Sequence, residues 1–179
     1  MNRAGHTVEA EPLTTARLTL EPLRVAHAEE LAPVLADPEL HTFIGGAPDD
    51  LATLRARYAR KVAGSPDPRV SWCNWVIRVS ADGRPAGTVQ ATVGPREAAD
   101  GLAAEIAWVV GTPWQGRGIA SEAARALVAW LRGLPEVTCV LAHIHPDHGA
   151  SAAVAHAAGL APTEEWHDGE VKWLLTCDR

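Results

Sequence analysis

The stretch AEIAWVVGTPWQGRGIASEAARALVAW, residues 104–130, decides how this chain folds. It opens with a short apolar run, Ile106 to Val110, bounded by Gly111 and Pro113, which reads as a strand. It closes as a helix. Ile119, Ala123, Leu127 and Leu131 recur every fourth residue with Ala120, Ala124 and Val128 beside them, while Glu122, Arg125 and Arg132 fall elsewhere. Gly133 and then Pro135 stop it. Between the two lie Gln115, Gly116, Arg117, Gly118, Ile119 and Ala120. Glycine lets a ligand touch backbone with no Cβ in the way. The first amides of a helix lack internal partners, and the helix dipole favours an anion there. Physics alone therefore predicts a phosphate cradle, to which Arg117 can add charge. The alternative is an ordinary tight turn that holds no ligand.

The identity of the phosphate ligand follows partly by elimination. A nucleotide loop needs Lys and then Ser or Thr after its last glycine, but Gly118 is followed by Ile119 and Ala120. A dinucleotide loop finds Gly116, Gly118 and Ser121 at its three positions, yet Glu136 precedes the next strand instead of following it. What fits is different. Gln115-x-x-Gly118-x-Ala120 directly after a strand resembles the coenzyme A diphosphate loop of the GNAT N-acetyltransferase superfamily. Glu105-Ile106-Ala107-Trp108, and Pro146 to Ser151 closed by Ala158-Gly159-Leu160, are similar to its ribosomal-protein-alanine acetyltransferase-like branch. Thr15 to Leu20 resembles the first strand of that branch, and the likeness spans roughly residues 14–177.

The resemblance implies an α/β fold of mixed type, a twisted central sheet of about six to seven strands flanked by about four helices. Strands first, then strand–helix–strand, independently argue for a mixed sheet with helices on both faces. The resemblance also implies acetyl-CoA as acyl donor, with its diphosphate on Gln115, Gly116, Arg117, Gly118, Ile119, Ala120 and Ser121. Its pantetheine arm would lie beside Trp108, Val109 and Val110, where the superfamily's splayed strand leaves amides free. His148 stands where the branch usually has Asn, a residue expected to hydrogen-bond that arm. His148 can donate with a different reach, and Ser151 lies close by in the same motif.

Composition bounds the rest. With 179 residues and 47% hydrophobic content the chain is one domain with a real core. Residues 14–179 form that domain, and residues 1–13 read as a loosely attached tail. No run approaches the ~20 apolar residues of a membrane span. MNRAGHTVEAEP lacks the apolar core of a secretory signal. A net charge of −6 argues against nucleic-acid binding. Cys73, Cys139 and Cys177 are scattered and odd in number, which fits reduced thiols in a cytoplasmic protein and three small core hydrophobes.

Elsewhere Arg17–Leu23 alternates as a strand, and Ala26–Ala36 reads as a helix that Pro33 should bend or shorten. Asp49 or Asp50 can cap a helix whose buried stripe is Leu51, Leu54, Tyr58 and Val62, while Arg55, Arg57, Arg60 and Lys61 read as its solvated face in preference to a binding patch. Ser71–Val79 and Gly87–Val93 form an antiparallel hairpin and Val137–His143 a further strand; Gly149 or Ser151 opens a short helix closed by Gly159, with Ser151 well suited to its N-cap. Trp166-His167-Asp168-Gly169 marks a last hairpin turn before Glu170–Cys177.

Acetyl transfer from a thioester needs a neutral amine, a donor for the oxyanion and a proton for the leaving thiolate. Glu105 is the candidate general base, directly or through water; a glutamate that merely holds loop amides is the competing role. It shares a face with Ala107 and Val109 only without a bulge, which this superfamily often places in that strand. Direct attack in a ternary complex requires no nucleophile. Many relatives have a Tyr four residues before the glycine matching Gly159, where this chain has Ala155; His156 is turned about 100° away. His143, His145, Asp147 and His148 could be read as a metal cluster, but this chemistry needs no metal. The acceptor pocket should lie between residues 43–60 and the C-terminal hairpin, lined by one or two of Trp72, Trp75, Trp108, Trp114, Trp166 and Trp173. Glu164, Glu165, Asp168 and Glu170 either attract a cationic amine or are a solvated loop. The acceptor is a small-molecule amine or a peptide N-terminus, the low pI favouring the former; a homodimer is compatible, while nucleic acid and membrane are not expected partners. Two other functions stay open: a longer acyl donor or acyl carrier protein, and an acyl-CoA sensor without catalysis.

Overall fold

Three strands with period-two alternation form the middle of the sheet. The structure is a computed structural model describing residues 7–97 and 99–178. Its strands are β1 (Leu13–Thr14), β2 (Leu18–Pro22), β3 (Ser71–Val79), β4 (Pro85–Pro95), β5 (Leu102–Val110), β6 (Val137–Ile144), β7 (Ala161–His167) and β8 (Glu170–Thr176). The helices are α1 (His27–Leu31), α2 (Leu51–Ala63), α3 (Ile119–Arg132) and α4 (Gly149–Ala157), with 3₁₀ turns at Pro38–His41 and Thr112–Trp114. The strands make one sheet in the order β1-β2-β3-β4-β5-β6-β8-β7. Only β5 and β6 run parallel, joined by the crossover through α3.

Alternation sends Trp75 and Ile77 of β3 to one face and Val76 to the other. Against the first face packs α3, and the stripe legible in the sequence is the stripe buried: Ile119, Ala123, Ala124, Leu127, Val128 and Leu131. Val154, Ala155 and Ala158 of the α4 region join the same cluster. On the opposite face α1 and α2 close over Val76 with Ala28, Leu31, Leu54 and Tyr58. The β4–β5 contact is tight. A Cβ on Gly87 would lie 2.0 Å from the Val109 carbonyl oxygen, so only glycine fits there.

The sequence reading needs several corrections. Residues 8–13 are not loose. Trp75 is fully buried, so its indole N–H needs an acceptor. The Glu11 carbonyl provides it at 2.7 Å, and the Val8 N–H donates to Ser71 Oγ at 2.9 Å. The chain then adds β1 as an eighth strand beside β2. Residues 1–6 of the expected tail lie outside the described residues. Helix α1 ends at Leu31, well short of Ala36, because Pro33 has no N–H to continue it. In α2 Asp50 is the cap, accepting from the Thr53 N–H at 2.7 Å. Val62 is 51% exposed, and Lys61 takes the inward place instead. The reason is spacing: Leu54, Tyr58 and Lys61 follow i, i+4, i+7. Helix α4 starts at Gly149 with His148 at the N-cap, so Ser151 sits inside its first turn.

Candidate functional site

The site exists because two strands part. The β5–β6 ladder pairs Leu102 with Val137, then, after a one-residue shift, Ala103 with Cys139, Ala104 with Val140 and Glu105 with Leu141. There it stops. Beyond Glu105, β5 stays paired with β4 as far as Val110, while β6 stays paired with β8 as far as Ile144. The gap opens into a cleft of about 1050 Å³. Trp108, Val109 and Val110 line it, along the β5 edge that has no strand partner. The β4–β5 ladder runs without a shift, so β5 has no bulge on that side. Glu105 and Ala107 are accordingly exposed on one face, while Ala104, Ile106 and Val110 are buried on the other.

Glu105 stands at the vertex. Its side chain is 51% exposed, and its Oε1 accepts from His143 Nδ1 at 2.8 Å. His143 faces it because Leu141 pairs with Glu105 and His143 is two residues further along the same strand face. In the sequence His143 reads as part of an apparent metal cluster or as a polar strand end near the cleft, and nothing there pairs it with Glu105. Among the described residues no group of three His, Cys, Asp or Glu could hold a metal ion. His145 instead accepts from the Asp147 N–H at 3.1 Å, and His148 stacks on Phe43 with ring centroids 4.3 Å apart.

At the far end of the cleft is the start of α3. Gly116 and Gly118 both have φ +73, a left-handed conformation that glycine adopts without strain. Gly118 occupies the N-cap and offers no side-chain cap, so nothing from the N-cap covers the amides of Ile119, Ala120 and Ser121. The first bond into the helix is Glu122 N–H to the Gly118 carbonyl at 3.0 Å. Gln115 donates its side-chain amide to the Val110 carbonyl at 3.0 Å and so fixes the turn to β5. Gly116, Gly118, Ile119, Ala120 and Ser121 line the cleft; Arg117 does not, and its side chain is exposed.

Sequence reasoning missed what holds this loop. Arg17, the residue before β2, donates Nη1 to the Arg117 carbonyl at 2.9 Å and Nε to Glu122 Oε2 at 2.6 Å. Thr15 and the Arg17 N–H also donate to Glu122. Partial burial pushes the Glu122 carboxyl up, but these hydrogen bonds and the Arg17 charge outweigh it and hold the group below its ordinary range. Partners about a hundred residues apart leave no local signal.

His148 and Ser151 do come together: Ser151 Oγ and His148 Nε2 are 3.3 Å apart, and both line the cleft. Partial burial, with His145 adding to it, holds His148 below its ordinary value. Ala155 is fully buried and His156 exposed, so neither offers a proton to a leaving thiolate. Cys73 is buried and its thiol is pushed up to about 12, first by desolvation and then by Glu9, which removes it as a nucleophile. No helix among the described residues is long and apolar enough to cross a membrane.

Comparison with known proteins agrees with this geometry. A family model for the acetyltransferase (GNAT) domain matches residues 17–161. None of the curated proteins matches the sequence significantly. Among solved structures, an acetyltransferase from Agrobacterium tumefaciens is 23% identical with a TM-score of 0.70, over 97% of this chain and 99% of that one. The ribosomal alpha-N-protein acetyltransferase RimL in complex with coenzyme A is 16% identical with a TM-score of 0.74, over 94% of this chain and 100% of that one. An aminoglycoside acetyltransferase in complex with coenzyme A is 22% identical with a TM-score of 0.73, over 89% of this chain and 94% of that one. At these identities the three establish a shared fold.

Proposed function

Because the chain belongs to the GNAT acetyltransferase family, we propose that it moves an acetyl group from acetyl-CoA to a primary amine, by direct attack within a ternary complex. The observation that carries this reading is one cleft with the uncapped amides of α3 at one end and the Glu105–His143 pair at the other. The unpaired edge of β5 runs between them. The α3 amides suit a diphosphate. The edge amides of β5 suit the pantetheine arm, and one of them the thioester carbonyl. Glu105 takes the proton from the incoming ammonium, directly or through water. His143 donates to the carboxylate and fixes its direction. The amine nitrogen then bonds to the acyl carbon; as the oxyanion collapses the C–S bond breaks, and the nitrogen gives up its second proton to solvent. The leaving thiolate takes its proton from solvent, since Ala155 has no hydroxyl.

The acceptor under this reading is a small-molecule amine. The test is release of free thiol from acetyl-CoA with a panel of amines, repeated with Glu105→Gln. Transfer that the substitution slows supports the reading. Coenzyme A binding with no turnover of any amine would favour a sensor, for which buried Ala155 is the specific motive. Preference for longer donors would shift the reading to another acyl group.

A further inference from the structure

Under α2 the cleft has a side recess that acetyl transfer does not use. It encloses about 320 Å³ and is lined chiefly by Arg57, Arg60, Lys61, Trp72, Asn74 and Gln90. Three cations meet there, and no carboxylate belongs to the lining. Arg57 has a counter-ion, Asp49, at 2.9 Å. Lys61 has none among the described residues: its ammonium donates to the neutral Gln90 Oε1 at 2.9 Å. Arg60 makes no ion pair among the described residues.

Lys61 is held in this place by the periodicity of α2, which puts it beside Tyr58 on the inward stripe. Burial, and Arg57 next to it, push its ammonium below the ordinary lysine value. A desolvated cation without an anion is costly, and a bound anion relieves that cost. One turn earlier is a second unsatisfied group. Tyr58 is 3% exposed, its hydroxyl is buried without a hydrogen-bond partner, and the residue lines the main cleft beside Lys61. Tyr58 lies outside the lining of the recess itself, but its unpartnered hydroxyl on the same inward stripe adds a second polar group in want of an acceptor oxygen.

We propose that this recess is an anion subsite for the acceptor: the amine that is acetylated also carries an oxyacid group, a carboxylate or a phosphate. The inference rests on the transfer reading above and adds the substrate class to it. The sheet sets the span. Glu105 pairs with Thr92, and Gln90 lies two residues along β4 on the same face. One strand across and two residues along is about 8 Å. The amine and the anionic group are therefore on the order of 5–10 Å apart, too far for an α-amino acid, whose amine and carboxylate flank one carbon. The opposite wall complements this: Glu170 lines the cleft and favours the ammonium end. A polycationic amine is repelled by the recess.

The experiment compares matched amines of one chain length: an ω-amino carboxylate, its carboxamide, an ω-amino alkyl phosphate and a diamine. The carboxylate or the phosphate should show a KM at least tenfold below the carboxamide and the diamine, and whichever is lower names the group. Lys61→Met, which keeps the apolar stem, should raise KM about tenfold or more for the anionic amine and leave KM for acetyl-CoA in place. Equal use of the carboxamide or diamine, or an equal rise in KM for all acceptors, overturns the subsite. Should no amine be acetylated, the transfer reading is what fails, and calorimetry with inorganic phosphate in the presence of coenzyme A still decides the subsite. Phosphate binding that Lys61→Met or the exposed Arg60→Ala variant weakens upholds it. No phosphate binding, or binding unchanged in both variants, overturns it.

Discussion

In the proposed mechanism a single carboxylate at the vertex of a forked sheet concentrates the chemistry. Glu105→Gln keeps the shape and the hydrogen bond from His143 but removes the proposed base. It should lower kcat/KM by about 10²-fold or more, with KM for acetyl-CoA unmoved. Initial rates across the pH range check this; an unchanged profile would remove Glu105 from the mechanism. The thiols make a second test. Cys73 is buried with its thiol raised to about 12, and Cys139 and Cys177 are buried as well. A disulfide reagent at pH 8 should leave all three unmodified in the folded protein and react with them only after denaturant is added. Glu105 was singled out from its motif, and the structure puts it in the cleft. Its partner was not, because His143 enters the site through the β5–β6 register, which no local pattern carries.

At the scale of elements, the start of α3 joins stability to binding. Gly118 is left-handed, and a Cβ there would also press on Arg17 Nη2 at 3.3 Å. Gly118→Ala should cost about 1–2 kcal/mol in strain and weaken coenzyme A binding about tenfold as the amides tilt, measurable by calorimetry. The brace from Arg17 carries a pH dependence. Glu122 is held below its ordinary value of 4.5, so the stability it contributes is complete above that value. That contribution is lost as pH falls through the lower value of the folded state, because the unfolded chain then binds the proton more readily. Below pH 4.5, Glu122→Gln should therefore lose stability less steeply than the parent in a thermal series. Asp50→Ala, which uncaps α2, should cost about 1 kcal/mol. Helix periodicity made α3 legible almost to the residue. In α2 the same periodicity misled: Val62 read as buried for its apolarity, while Lys61 was assigned to water for its charge. A long stem can lie inward while its head meets a polar wall, and composition does not reveal that wall.

For the whole molecule, ligand linkage tests the assignment. Coenzyme A at a hundred times its Kd should add about 2.7 kcal/mol, which for a domain of this size raises Tm by roughly 5–10 °C. Pantetheine, which lacks the diphosphate, should raise it far less; equal shifts would mean that the α3 amides hold no phosphate. The mixed sheet and its helices were foreseeable from the order of alternating and helical segments. The docking of residues 8–13 was not, since it answers the need of one buried indole far along the chain.

The meeting line of β5 and β6 is only four residue pairs long, shorter than any other interior seam of the sheet. On one side strands β1 to β5 form a stiff plate, and on the other β6 to β8 form a second. Past Glu105 no backbone ladder crosses the parting, and α3, which packs on β5 and β6 alike, is what bridges the two plates. Truncating its buried stripe, as in Leu127→Ala, should therefore loosen one plate against the other as well as cost about 2–5 kcal/mol of stability.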